Sequence, residues 1–390
     1  MRRFRVGIDA TALHSHPVGA SNYILQLTRA LARRKEAVGS HPGIDQSDWL
    51  ELFIFVQKSR QAMIDIKETP DSHLVIIPDM APSVRLVWEQ VSLPRMAKSK
   101  KIDLLHSLHY TMPLAYHGRS VVTLHDMTFF LFPQLHTLPK RYFFRFFIRT
   151  SSRQAAALVA DSESTRQDAM RLVGIPAEKI FTAQLGVTQD FHCIKDEAAL
   201  KQARQKYHLP EQFLLFVGML EPRKNLPALL EAFSSIADQI PEHHLVVAGP
   251  KGWMVEDILQ QRGTPKTTGK VHFPGYIEQA DLPLVYNMAD VFIYPSIYEG
   301  FGLPVLEAMA CGTPVITSNV SSMPEIVGEA GVLLPPGDTR ALAQATLELV
   351  NDPAKRQRLS VKGLERAMAF TWERTAEKTM AVYRYALGIG

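Results

Sequence analysis

Short apolar runs punctuate the chain, and between most of them apolar positions recur every three or four residues on otherwise polar stretches. In the first half, residues 4–8, 52–56, 74–77, 104–106, 121–124 and 157–160 read as strands, with helical patterns at 22–33 and 83–98. The strand runs are apolar throughout rather than alternating, as a parallel sheet covered by helices on both faces requires. A polar, charged stretch at about 195–210 interrupts the pattern and is the expected hinge. The rhythm then resumes, with strands at 213–217, 245–248, 271–273, 291–294, 315–317 and 332–334 and helices at 226–236, 281–288 and 339–350. The expected fold class is α/β, with two Rossmann-like domains whose parallel sheets face each other across a cleft. Their expected extents are 1–195 and 205–368, with residues 369–390 forming a helix that crosses back to the first domain.

Composition narrows the class. The 390 residues are 46% hydrophobic and 21% charged, which suits a globular chain of two ordinary domains, and a net charge of +4 gives no argument for nucleic acid. No uncharged apolar stretch reaches the ~18 residues of a membrane span. The start, MRRFRVGIDA, passes directly from basic residues into a strand pattern, so no secretory signal is expected. Cys193 and Cys311 offer neither metal spacing nor a disulfide framework, and a reducing cytoplasm is the expected setting. Cys311 reads as a small packing residue.

The run YEGFGLPVLEAMACGTPVITS holds the most chemistry. It reads as an acidic loop after a strand, then a helix opened by Pro304 and ended by Gly312. The unpartnered NH groups of a helix start, near Gly302 and Leu303, suit phosphate or sugar oxygens. Glu299 stands at that mouth and Glu307 one turn inside. The carboxylates of a glycosidase flank one bond at roughly 5 to 9.5 Å. Eight residues of loop and helix instead place the pair along one side of an elongated ligand. The competing account makes Glu307 a helix-solvating residue and Glu299 a loop carboxylate.

Other candidates also follow predicted strands. Arg223 and Lys224, in GMLEPRKN, precede a helix and form a cationic site for a diphosphate, which two cations can neutralise without a metal. His125 and Asp126 follow the strand VVTL; adjacent residues of extended chain point oppositely, so His125 is expected to face the ligand and Asp126 to orient the loop. Near the N-terminus, Gly19 lies in a loop and Ser21 or Asn22 caps the next helix, a second place for a phosphate or an acceptor. Ser162 or Ser164 is expected as a cap after Asp161, and Glu325 as a helix-start acid, none of them catalytic. The chain has no GxGxxG, GxxxxGK[ST] or GxSxG motif, which weakens dehydrogenase, phosphate-loop and hydrolase readings.

Together VVTLHD, ADSESTRQD, VGMLEPRKN, VHFPGYI, ADVFIYPSIYEGFGLPVLEAMACGTPVITS and FTWERTAEKTMAVY resemble family 4 of the glycosyltransferases, retaining enzymes of GT-B fold, over nearly the whole chain. The resemblance implies sugar transfer from a nucleotide sugar with retained configuration, with acceptor in the first domain and donor in the second. By motif, Arg223 and Lys224 hold the donor diphosphate, Glu299 contacts the donor sugar, and Glu307 binds the ribose. Gly300, Phe301, Gly302 and Leu303 line the sugar and phosphate pocket. His125 touches the transferred sugar or steadies its developing positive charge. No metal or other cofactor is implied. The family often has a richer glycine loop where this chain has only Gly19, which puts that loop's acceptor role in question. RLVWEQVSLP and SLHYTMPL are similar to bacterial mannosyltransferases of surface-polysaccharide assembly, which favours GDP-mannose as donor and a glycan or lipid-diphosphate-linked acceptor.

Arg141, Arg145, Arg149 and Arg153 recur every four residues in a segment rich in aromatics, with Phe143, Phe144 and Phe147 opposite. This stripe either docks on an anionic membrane or is the solvated face of a packed helix. A nucleotide-sugar epimerase of the same build, or a catalytically silent nucleotide-sugar-binding protein, are the alternative functions.

Overall fold

The computed structural model describes residues 3–34, 49–66, 69–250, 252, 267 and 269–389. The chain divides into two units, Met1–Gly186 with Thr371–Gly390, and Val187–Phe370. The polar stretch expected as a hinge is the helix Glu197–Lys206 and belongs to the second unit.

In the first unit the described strands are β1 (Phe4–Asp9), β2 (Leu50–Gln57), β3 (Ser72–Ile77), β4 (Leu104–Ser107), β5 (Arg119–Leu124), β6 (Ala157–Ala160) and β7 (Ile180–Thr182). They form one parallel sheet in the order β3-β2-β1-β4-β5-β6-β7. The second unit's described strands are β8 (Gln212–Val217), β9 (His243–Ala248), β10 (Val271–Gly275), β11 (Val291–Tyr294), β12 (Val315–Ser318) and β13 (Val332–Leu334). Their order is β10-β9-β8-β11-β12-β13, again parallel. Central strands such as β4, β6, β11 and β12 are buried at every position, which is why their runs are apolar without alternation. Both sheets reverse direction of growth once, between β1 and β4 and between β8 and β11. In open parallel sheets that switch point, at the carboxyl ends of the strands, is where loops diverge and ligands are held.

The last helix, Trp372–Leu387, packs into the first unit: its Tyr383 hydroxyl meets His106 Nδ1 at 2.6 Å, and Trp372 lies 6.2 Å from the Tyr23 ring. Only glycine fits at 186, where a Cβ would overlap the backbone of Thr371 and Trp372.

Candidate donor site and its relatives

Two loops leave the second sheet at its switch point, one after β8 and one after β11, and they share one buried ion cluster. After β8, Pro222–Lys224 makes a single tight helical turn and Asn225 takes a left-handed conformation (φ 56°) that starts the helix Leu226–Ile236. After β11, the chain runs through Ser296 and Glu299 to Gly302, which caps the helix Leu303–Ala310. Gly302 has φ 118°, and a Cβ there would overlap the end of Met323, so this tight entry needs glycine.

Glu299, only 6% exposed, accepts hydrogen bonds from Lys224 Nζ (2.7 Å) and Ser296 Oγ (2.6 Å) on one oxygen and from Arg223 Nη1 (2.6 Å) on the other. Burial alone would raise its carboxyl, but the Arg223 and Lys224 charges and these bonds reverse that and hold it at about 2. Lys224 also donates to the Tyr294 hydroxyl, and burial together with Arg223 lowers its ammonium below the ordinary lysine value. Arg223 is bound on its other edge by Glu221, with Nε at 3.1 Å and Nη2 at 2.6 Å from Oε1. Its Nη1 also donates to the Tyr298 carbonyl at 2.7 Å. Two cations thus face two carboxylates. The loop backbone is fixed separately: the Glu299 NH donates to Ser321 Oγ at 3.0 Å, and Ser322 Oγ donates to the Glu299 carbonyl at 3.1 Å. Among the described residues no partner is found for the NH groups of Phe301, Gly302 and Leu303.

Glu307 lies on the same helix but in a different setting. Its carboxyl is 7% exposed, and among the described residues its one side-chain partner is the Tyr286 hydroxyl at 3.1 Å. Burial without a cation pushes it up to about 7. The two glutamates are therefore electrostatically opposite, one a firm anion and one poised near neutrality.

In the first unit, His125 and Asp161 follow β5 and β6. His125 Nδ1 faces Asp161 Oδ2 at 2.7 Å and Nε2 faces the Leu108 carbonyl at 3.0 Å. Burial lowers the ring's proton affinity, but Asp161 outweighs it and raises the pKa; only an imidazolium donates at both nitrogens. Both ring nitrogens of His125 are engaged within the first unit, by Asp161 and by the Leu108 carbonyl. Asp126 orients the loop, accepting from the Thr128 NH (3.0 Å) and hydroxyl (2.7 Å). Ser162 caps the helix Glu163–Val173 by accepting from the Thr165 NH at 3.0 Å. Neither Ser21 nor Asn22 is a cap: the helix Ala20–Arg33 begins two to three residues earlier, with Gly19 (φ 53°) at its cap position. Ser21 Oγ instead accepts from the His14 NH at 2.8 Å, and Asn22 Oδ1 from Gln26 at 3.3 Å.

The residues missed in the sequence show their part only once the fold has set their partners around them. Glu221 carries no motif signal, and Asp161 is separated from His125 by 36 positions. Glu89, on the helix Pro82–Ser99, was also passed over; it binds Arg85 and Thr111, each at 2.9 Å, and burial together with Asp9 pushes its carboxyl up to about 7.

Residues 200–366 match the model of glycosyl transferases group 1, and residues 17–191 match that of glycosyltransferase family 4. Over 271 residues the chain is 36% identical to the O-antigen chain mannosyltransferase B of Escherichia coli, covering 68% of this chain and 70% of that protein. The chain belongs to the family 4, group 1 glycosyltransferases. The serotype-specific mannosyltransferase WbdA of E. coli is 31% identical over 229 residues, 57% of this chain but only 28% of that protein's length. Among solved structures, a sucrose-phosphate synthase from Thermosynechococcus elongatus superposes with a TM-score of 0.74 at 23% identity over 100% of both chains. WaaG, a glycosyltransferase of lipopolysaccharide biosynthesis, gives 0.69 at 15% identity, over 97% of this chain and 98% of its own. At these identities the likeness shows the fold, which is that of GT-B glycosyltransferases. The protein is thus a glycosyltransferase, and the ion cluster sits in the part matched by the group 1 model.

Proposed function

We propose that this glycosyltransferase moves mannose from GDP-mannose, with retained configuration, to a glycan or lipid-diphosphate-linked acceptor. The observation that carries the reading is the buried Arg223–Lys224–Glu299 cluster beside the open NH groups of Phe301, Gly302 and Leu303. Arg223 and Lys224 bind the diphosphate, Glu299 accepts from sugar hydroxyls, and Glu307 accepts from the ribose hydroxyls. Mannose is supported by the names of two relatives, an O-antigen chain mannosyltransferase and a serotype-specific mannosyltransferase.

In the reaction, the bond from the anomeric carbon to the β-phosphate oxygen breaks and its electron pair leaves with the diphosphate. The acceptor oxygen bonds to the anomeric carbon on the same face, and its proton passes to the departing phosphate. Arg223 and Lys224 meet the charge that develops on that leaving group, an electrostatic contribution that operates best in a dry site. No carboxylate of the cluster is free to attack the sugar, because Glu299 is held by three donors. No metal is required by this scheme.

The first unit is the proposed acceptor side, through Gly19, Asn22 and the loop that His125 stiffens. Its helix Leu138–Gln154 exposes Leu138, Tyr142 and Phe146, four residues apart, with Arg149 and Arg153 also exposed. As the sequence pattern expects, Phe144 and Ile148 pack inward, while Arg145 turns to the Phe129 carbonyl at 2.7 Å. An apolar stripe flanked by arginines suits peripheral contact with an anionic membrane at its cytoplasmic face, where lipid-linked acceptors would be met. Among the described residues no helix is long and apolar enough to cross a membrane.

The test is a thermal-shift panel of GDP, UDP, ADP and their mannose and glucose conjugates, followed by turnover of the best donor with and without a lipid-linked mannan acceptor. Preferential stabilisation by GDP and acceptor-dependent release of GDP, with an α-linked product, support the proposal. Sugar epimerisation without acceptor supports an epimerase instead, and binding without turnover a silent binding protein.

A further inference from the structure

We infer that Glu221 is a built-in counter-ion that weakens the site's grip on the nucleoside diphosphate product and so speeds its release. The inference rests on the reading that Arg223 and Lys224 receive the donor diphosphate. Glu221 is only 3% exposed and stands immediately before the tight turn Pro222–Lys224 that follows β8. One of its oxygens takes both the Nε and Nη2 edges of Arg223, at 3.1 and 2.6 Å, and lies 4.0 Å from Lys224 Nζ. Glu299 takes the remaining faces of the same two cations, at 2.6 and 2.7 Å. The cluster is charge-balanced before any ligand arrives.

The two carboxylates have different jobs. Glu299 lies on the loop after β11 with the open NH groups and is suited to hold sugar hydroxyls. Among the described residues the polar partners of the Glu221 side chain are those two cations. A phosphate oxygen approaching Arg223 therefore competes with Glu221 for the same guanidinium edge. Transfer converts a phosphate ester oxygen into a free phosphate oxygen, so the product is more anionic than the donor. Without an opposing carboxylate, a cation pair buried at this depth would hold the product more tightly than the substrate. Glu221 offsets that difference and acts through Arg223, as a positioning residue rather than a catalytic one.

Glu221→Gln removes the charge while keeping shape and one carbonyl acceptor for Arg223. The experiment measures Kd for GDP and for UDP by calorimetry in wild type and variant, together with kcat and kcat/KM for the donor. Loss of one opposing unit charge in a buried site is expected to tighten the preferred diphosphate roughly tenfold and to lower kcat by a similar factor, with kcat/KM changed by less than about threefold. Glu221→Asp, which keeps the charge, is expected to restore wild-type Kd. Should Glu221→Gln fail to fold, Glu221→Ser carries the same expectation. Equal or weaker diphosphate binding in the neutral variants, with kcat and kcat/KM falling together, overturns the inference and leaves Glu221 a structural support. If wild type binds neither GDP nor UDP, the diphosphate reading of Arg223 and Lys224 falls first and takes this inference with it.

Discussion

Replacing Glu299 with glutamine should cost stability in an amount the site itself fixes. The carboxyl drops from an ordinary 4.5 to about 2 because two buried cations and Ser296 hold its anion. At ~1.36 kcal/mol per unit, that drop corresponds to ~3 kcal/mol of stabilisation at neutral pH. The same order is expected for breaking a buried ion pair by removing one partner, about 3–5 kcal/mol. Glutamine keeps the shape and one carbonyl acceptor, so a loss of ~2–3 kcal/mol is the expected outcome in urea unfolding of the ligand-free protein at pH 7. The sign with pH follows from the depressed value. The contribution of Glu299 is present above 4.5 and is lost as pH falls toward about 2, so the gap between wild type and Glu299→Gln should narrow as the solution is acidified. At pH 4 the narrowing is ~0.8 kcal/mol. A difference below ~0.5 kcal/mol at pH 7, or one that widens on acidification, would refute the assignment of Glu299 as the anion that organises Arg223 and Lys224.

Glu307, held at about 7, should make nucleotide binding pH-dependent: GDP affinity rises as pH increases from 6 to 8, by about tenfold in all, and calorimetry of Glu307→Gln should show a flat profile. The same raised value means that the unliganded protein loses this group's contribution as pH rises from 4.5 through about 7. His125, raised by Asp161, contributes stability that is complete below its ordinary 6.5 and is lost as pH climbs through its higher folded value. Asp161→Asn should therefore destabilise more at pH 6 than at pH 9, and a denaturation series that shows no pH dependence of the loss counts against the imidazolium pair. Charge reversal of Arg149 and Arg153 should abolish flotation with anionic vesicles and leave donor turnover in solution unchanged; vesicle binding that persists, or was never salt-sensitive, removes the membrane contact.

Strands such as β4, β6, β11 and β12 were legible because each is sealed on both faces, so burial writes a largely apolar run. β7, only three residues long and partly exposed, wrote no such run. Glu197–Lys206 reads as linker because EAALKQARQK buries a single side chain, Ala203, and so lacks a periodic apolar face. The helix start at Gly19 was misplaced toward Ser21 because sequence reasoning looks for a capping side chain, whereas this helix has none. In the proposed donor site, Arg223, Lys224, Glu299 and Glu307 stand out through turn and helix-start signals in two short segments. That Glu299 neutralises the cations rather than standing apart from them depends on β8 and β11 lying side by side, at Val291↔Leu214, which local sequence does not encode. The same holds for Glu221, whose role is visible only once Arg223 is seen between two carboxylates.

The most direct measurement of the central claim is single-turnover sugar transfer by Arg223→Ala and Lys224→Ala with saturating donor and acceptor. If these cations meet the charge on the leaving diphosphate, each variant should lose roughly 10²- to 10³-fold in rate, in line with removal of a preorganised donor to a developing anion. Turnover within about threefold of wild type in both variants would contradict the account.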